Sequence, residues 1–319
     1  MNNRQPTRTK RKKKQRINYL MLFIAVFLLT IAVVSSSVFI IASLMSKDPG
    51  TTVDPNATGD IGYFEDTEDV TTEELTTEPP VYVSYTFTEE DSMCGSLILV
   101  NSEHKYTLHD KYDFTTIYER KNRDFKVATR DIELRAHATD AINMMMTDFR
   151  EETGLSDVQI YNAYVAASLG SSDHNSGYGF DFNVYTGSAS YKLDYMPQYA
   201  WITNNCHKYG IVRRYESHKS AITGVLNDEW HFRYVGVPHS FYMRENDLCL
   251  EEYIAELENY LYDTEHLIFE DDMGNKWEIF TVKLLNSGDV TIELPEDAVF
   301  TSSGTNCGSI VIAIDVTNS

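Results

Sequence analysis

Basic residues are scarce and unevenly placed: the 319-residue chain has 27 Lys and Arg against 48 Asp and Glu, a formal charge of −21. Eight of the bases fall within residues 1–16, where there is no acid, so beyond Arg16 only 19 bases face 48 acids. A body so acidic repels polyphosphates, which excludes nucleic acid as a partner. Cysteine is rarer still. Cys94, Cys206, Cys249 and Cys307 lie far apart with no C-x-x-C spacing, so neither a zinc ribbon nor a thioredoxin-type motif is present. Three full disulfide pairings, or four buried thiols, are both compatible with that spacing.

Charge is missing altogether from Ile17 to Ser46, a stretch dominated by Leu, Ile, Val, Phe and Ala. It exceeds the ~20 residues that a helix needs to cross a bilayer and the roughly 7–15 of a signal peptide's apolar core. The expectation is one uncleaved transmembrane helix over 17–46. Eight bases precede it and Lys47 alone follows it closely, so residues 1–16 form a basic cytoplasmic tail and the rest lies outside. Residues 47–80 are acidic and Thr-rich, as in Asp66-Thr67-Glu68-Asp69, with little to bury. They read as an extended, disordered stalk.

The chain does have apolar and aromatic side chains: 42% of it is hydrophobic, and there are 21 Tyr. That supports a folded body of one or two domains. Val81 to Phe87, Leu97 to Val100, Val158 to Val165, Ile211-Val212 and Trp230 to Val235 read as strands. Apolar residues from Leu134 to Phe149 recur at helical spacing, with Thr129 or Asp131 as cap and Gly154 as stop; Met144 to Met146 then fill core. Pro197 to Tyr209 and Leu248 to Leu261 read as further helices. Mixed elements without a regular βαβ repeat predict an α+β domain over 81–264. Residues 265–319, with short runs broken by Gly, Asn and Pro, read as a small β appendage.

Two of the nine histidines stand in informative company, in Ser172-Asp173-His174-Asn175-Ser176-Gly177-Tyr178-Gly179-Phe180-Asp181 and in Asp228-Glu229-Trp230-His231. Two imidazoles and a carboxylate, His174, His231 and Asp181, make a three-ligand set that leaves a fourth position on Zn²⁺ for water, as a hydrolytic site requires. Gly177 and Gly179 let the backbone turn so that His174 and Asp181 face one point. Asp228 or Glu229 is placed to act as general base. The other seven histidines read as surface or hydrogen-bonded core residues.

These blocks, followed by Tyr209-Gly210-Ile211, Arg214-Tyr215, Thr223-Gly224 and Trp230 to Gly236, resemble in order and spacing the VanY-type D-alanyl-D-alanine carboxypeptidases. The resemblance covers roughly Leu97 to Leu261. It implies a small zinc D,D-peptidase domain, an antiparallel sheet with flanking helices, that trims peptidoglycan stem peptides, with His174, Asp181 and His231 as ligands. The family's base is a Glu three residues before the last ligand; here that position is Asp228, with Glu229 where Pro usually stands. The family's Ser-Gly-Tyr-Arg-Ser segment is missing, so Arg213, Arg214 or Arg233 would have to supply its positive charge or else serve a structural ion pair. Ser172 and Arg214 are the candidate substrate contacts. Two functions follow: a membrane-anchored zinc carboxypeptidase, or a catalytically impaired zinc-binding homologue that binds wall peptides or a protein.

If the topology is right, protease added to intact cells releases the body and leaves a short anchored fragment. Protection of the body on immunoblots refutes it.

Overall fold

The run Gly179 to Tyr185 alternates large apolar side chains with small or polar ones, a pattern that a strand resolves into two faces. The computed structural model describes residues 80–317 except 109–112, 165, 167–169, 194–195, 227 and 285–287. The expected tail and span, and all of the stalk but Pro80, lie outside the described residues. Among the described residues, no helix is long and apolar enough to cross a membrane.

In chain order the strands up to the second zinc motif are β1 (Tyr82–Phe87), β2 (Phe114–Thr116), β3 (Lys126–Val127), β4 (Glu133–Arg135), β5 (Val158–Asn162), β6 (Gly179–Tyr185), β7 (Ser190–Lys192), β8 (Ile211–Tyr215) and β9 (Asp228–Tyr234). The central sheet has the order β3-β5-β6-β9-β8, with β7 also on β6. Only β3 and β5 run parallel. One edge of β6 is taken by β5, and the other is divided: β9 pairs with Gly179 to Asp181, and β7 with Asn183 to Tyr185.

Helix α1 (Ala136–Thr153) covers one face of this sheet. Its Ala138, Ala141, Ile142, Met145, Met146 and Phe149 share a core with Phe180, Phe182, Val184 and Phe232. Gly154 ends it in the left-handed region, φ 73°. The helix starts later than Thr129 or Asp131 suggests, because β4 intervenes. Met144, the first of the three methionines expected to fill core, points outward and is 58% exposed. Pro197 to Tyr209 is a broken element: 3-10 turns at Pro197–Tyr199 and Cys206–Tyr209 flank the helix α2 (Ala200–Asn205), and Gly210 closes it.

Leu97 to Val100 is fully enclosed but is not a strand. The Leu99 N–H donates to the Thr305 carbonyl at 2.9 Å, and the Ile98 carbonyl accepts from Arg233 at 2.7 Å, so side chain and loop replace a ladder.

Two helices follow, α3 (His239–Glu245) and α4 (Leu250–Leu257), then β10 (Leu267–Glu270), β11 (Lys276–Lys283), β12 (Val290–Pro295), β13 (Val299–Gly304) and β14 (Ser309–Asp315). Four of these strands form a sheet of order β10-β11-β14-β13, while β12 pairs with β1. One face of the sheet, with Ile279, Val311 and Ala313, packs on Phe241, Leu250, Tyr253 and Leu257 of the helices. The other, with Phe280, Val282, Ile310 and Ile312, packs on Phe87, Ile292 and Leu294 of the β1–β12 ribbon. The C-terminal strands are therefore a middle layer and not a separate appendage, and the boundary expected at 264/265 passes through a shared core. Cys206 and Cys249 are buried free thiols and Cys307 an exposed one.

A chain ended at Asp263 uncovers Phe241, Tyr242, Leu250, Ile254 and Leu257, whose burial contributes about 1.5–3 kcal/mol each. That sum rivals the ~5–15 kcal/mol total of an ordinary domain. The shortened chain should show no cooperative thermal transition by circular dichroism; a sharp, native-like melt refutes the shared core.

Candidate metal centre

Ser172 opens a one-turn 3-10 element, Asp173–Ser176. Its hydroxyl accepts the Asn175 N–H while its own N–H donates to Asn175 Oδ1 at 3.0 Å. The turn ends at Gly177, φ 76°. The chain thus doubles back, and His174 on the turn meets Asp181 on β6. Opposite Asp181, on β9, stands His231. One donor atom from each of the three residues lies within 4.8 Å of the other two.

Hydrogen bonds fix which atoms face inward. His174 Nδ1 lies 3.2 Å from the Gly179 carbonyl, which only accepts, so Nδ1 carries the proton and Nε2 offers its lone pair. That Nε2 is 3.3 Å from Asp181 Oδ2, and His231 Nδ1 is 2.7 Å from Asp181 Oδ1. The other nitrogen of His231, Nε2, is 3.0 Å from Asp173 Oδ2. A buried carboxylate behind a ligating imidazole is the arrangement that orients a metal-bound histidine. The Asn162 amide donates to His174 Nε2 at 3.0 Å and to Asp181 Oδ2 at 2.9 Å, engaging lone pairs that an ion would use. Two imidazoles and one carboxylate, partly enclosed, fit Zn²⁺.

The electrostatics follow from burial and pairing. Burial opposes charge on Asp173, but Arg233, His231 and Arg214 outweigh it and hold the carboxyl well below the usual range. Burial likewise opposes charge on Asp181, and His174 and His231 overcome it. Burial would lower the His231 pKa; its bonds to Asp173 and Asp181 raise it to about 9. Gly179 has a steric role here. A Cβ at that position would sit 2.5 Å from Asp173 Oδ2 and 3.0 Å from His231 Nε2.

Asp228 and Glu229 separate. On β9, Asp228 faces Tyr215 and Phe232 faces Arg213, so one residue of β8 spans three of β9. This bulge upsets the two-residue alternation that would pair Glu229 with His231. Burial and the nearby Asp181 raise the Asp228 pKa, His231 and His174 oppose the rise, and its Oδ1 is buried without a hydrogen bond. Glu229 lines a different hollow with Leu193, Pro197 and Arg213.

The substrate contacts expected of Ser172 and Arg214 are corrected by their surroundings. Ser172 caps its turn. Arg214 is enclosed, forked on Glu251 at 2.8 and 2.6 Å, with Asp173 3.6 Å from its Nε. Arg233 is also enclosed; it pairs with Asp173 and donates to the carbonyls of Ser96 and Ile98 at 2.9 and 2.7 Å. Arg213 pairs with Glu216 at 2.6 Å. All three arginines are thus structural. Sequence reasoning missed Asp173, Asn162 and Tyr215, whose ring stacks on His231 at 5.1 Å. Asp173 alone carried a signal, as a carboxylate beside a candidate ligand.

A model of the VanY family, described as D-alanyl-D-alanine carboxypeptidase, matches residues 143–237. A D-alanyl-D-alanine carboxypeptidase of Enterococcus faecium is 31% identical over 249 residues, 72% of this chain and 78% of that protein. Another of the same description, from Enterococcus faecalis, is 37% identical over 89 residues, 27% of this chain and 30% of that protein. Among solved structures, the vancomycin-resistance D,D-dipeptidase VanXYg in complex with a D-Ala-D-Ala phosphinate analogue aligns with a TM-score of 0.65 at 22% identity. The alignment covers 74% of this chain and 99% of that one, a likeness of fold.

His174→Ala should abolish stoichiometric zinc binding. Gly179→Ala, which touches no ligand atom directly but displaces the Asp173–His231 pair, should weaken it about 10- to 100-fold. Competition with a chromophoric chelator measures both; unchanged affinity in Gly179→Ala refutes the role of that pair.

Proposed function

The chain belongs to the VanY family of D-alanyl-D-alanine carboxypeptidases, and from that premise we propose that it removes the terminal D-alanine from peptidoglycan stem peptides, using Zn²⁺ held by His174, Asp181 and His231. The observation that carries the reading is the convergence of this ligand set with Asp228, a half-buried carboxylate whose Oδ1 has no partner. When bound, Zn²⁺ supplies Lewis acidity toward the scissile carbonyl and toward water.

The residues of the chain do the rest. Asp173 and the Gly179 carbonyl fix the two imidazoles so that Nδ1 of His231 and Nε2 of His174 point at one place. Asp228 takes the proton from the attacking water and returns it to the departing amine of D-alanine. Its environment raises its pKa, which brings a carboxylate nearer to the range where it both accepts and donates. Residues 17–46 anchor the protein in the membrane with the peptidase body outside, where stem peptides are. This placement rests on the uncharged run and its basic flank.

The alternative, an impaired homologue that binds wall peptides, is favoured by one observation: Arg213, Arg214 and Arg233 are all committed to acidic partners. Turnover separates the two readings. The zinc-loaded protein, incubated with a stem pentapeptide ending in D-alanyl-D-alanine, should release D-alanine. Asp228→Asn should reduce kcat by about 10²–10⁴ with zinc content unchanged, and Glu229→Gln should leave kcat as it was. Release by Asp228→Asn at the normal rate overturns the assignment of the base; no release by the unaltered protein at full zinc occupancy leaves the binding module.

A further inference from the structure

A carboxypeptidase must hold a negatively charged chain end beside a metal centre that is itself rich in carboxylates. Asp173, Asp181 and Asp228 would repel the incoming group, so a cation is needed one residue beyond the scissile carbonyl. Arg213, Arg214 and Arg233 are paired elsewhere. A lysine that sequence reasoning did not single out stands on the right strand.

Lys192 is the last residue of β7 and lies directly opposite Asn183 of β6. Asn183 is two residues from the ligand Asp181, so the two share a face of β6 about 7 Å apart along the strand. The opposite face holds Phe180, Phe182 and Val184 of the core. Because β7 and β9 divide one edge of β6, the hairpin end that carries Lys192 abuts the start of β9, where Trp230 immediately precedes the ligand His231. The ammonium of Lys192 sits 3.4 Å from the centroid of the Trp230 ring.

Lys192 has no carboxylate partner among the described residues, and the aromatic face is a weak hold that a carboxylate displaces. Its charge is felt at Asp228, where it opposes the rise in pKa. Tyr161, Asn183, Tyr191, Lys192 and Trp230 line a single cleft of about 160 Å³. Asn183, in its wall, has its side-chain oxygen Oδ1 buried without a hydrogen-bond partner. An unpaired amide oxygen in the wall of a cleft that also holds a cation, brought to the cleft by a turn of the Asn183 side chain, suits a ligand with a peptide N–H next to a carboxylate, which is the chemistry of a terminal amino-acid residue. Extended chain covers about 3.5 Å per residue, so the ~7 Å between Asn183 and Asp181 along the strand is the reach of about two substrate residues.

We propose that Lys192 is the specificity residue that binds the terminal carboxylate of the substrate, with Asn183 accepting the N–H of the same terminal residue, so that the β7 hairpin supplies the charge that the family's arginine segment would otherwise give. The proposal rests on the carboxypeptidase reading and deepens it.

Binding and turnover test the two separately. The zinc-loaded full chain carrying Asp228→Asn, to suppress hydrolysis, is titrated calorimetrically with N-acetylated Lys-D-Ala-D-Ala and with its C-terminal amide. The acid should bind about tenfold more tightly than the amide. Adding Lys192→Met should reduce that preference to within about twofold, and Lys192→Arg should restore it, with zinc content and melting temperature unchanged. In the protein with Asp228 intact, Lys192→Met should raise KM for the acid about tenfold with a smaller effect on kcat. Equal binding of acid and amide by the parent, or a full preference retained by Lys192→Met, overturns the proposal. A clear acid preference that depends on Lys192, in a protein that releases no D-alanine, instead refutes the catalytic reading and leaves the carboxylate site standing.

Discussion

Everything at the metal centre depends on one enclosed carboxylate, Asp173. It is 2% exposed and touches His231, Arg233 and the edge of Arg214. Burying a charge is costly unless partners surround it, and removing one partner of such a set strands the others. Arg233 extends the set to the carbonyls of Ser96 and Ile98, and Arg214 extends it to Glu251 on α4. A turn, two strands, an irregular segment and a helix therefore settle their positions through the same group that orients a metal ligand. The site is rigid because the fold around it shares its charges.

The second organising feature is the two-faced strand β6. Its apolar residues join the core under α1, while Gly179, Asp181 and Asn183 look the other way. One edge serves two partners in succession, β9 bringing His231 and β7 ending at Lys192. The bulge between β8 and β9 then breaks the two-residue alternation that would put Glu229 on the face of His231. Small local irregularities, and not the regular ladder, set the chemistry.

The candidate ligands were legible because coordination dictates residue types and spacing: His174, Asp181 and His231 stand out in sequence and meet in space. The apolar face of α1 and its glycine stop were equally plain. What escaped were relations that sequence distance hides. Asp173 is next to His174 but bonds His231, 58 residues away. Arg214 looked available and is enclosed, because its partner Glu251 belongs to a later helix. Leu97 to Val100 has the composition of a strand, yet the Ile98 carbonyl is taken by a guanidinium and the Leu99 carbonyl by the Asn306 amide. The C-terminal strands looked like an addition because runs of apolar residues do not reveal that both of their faces are covered.

That double covering has a consequence for the order of events during synthesis. β14 lies between β11 and β13, and residues 309–314 are buried without interruption. It is also the element translated after every other one described. The helices α3 and α4 on one side and the β1–β12 ribbon on the other must wait for it with their apolar faces open, because contacts this distant in sequence form only once the late segment arrives. The core under α1, which β14 does not enter, has no such wait: its last member, Phe232, is translated well before the strands of the middle layer.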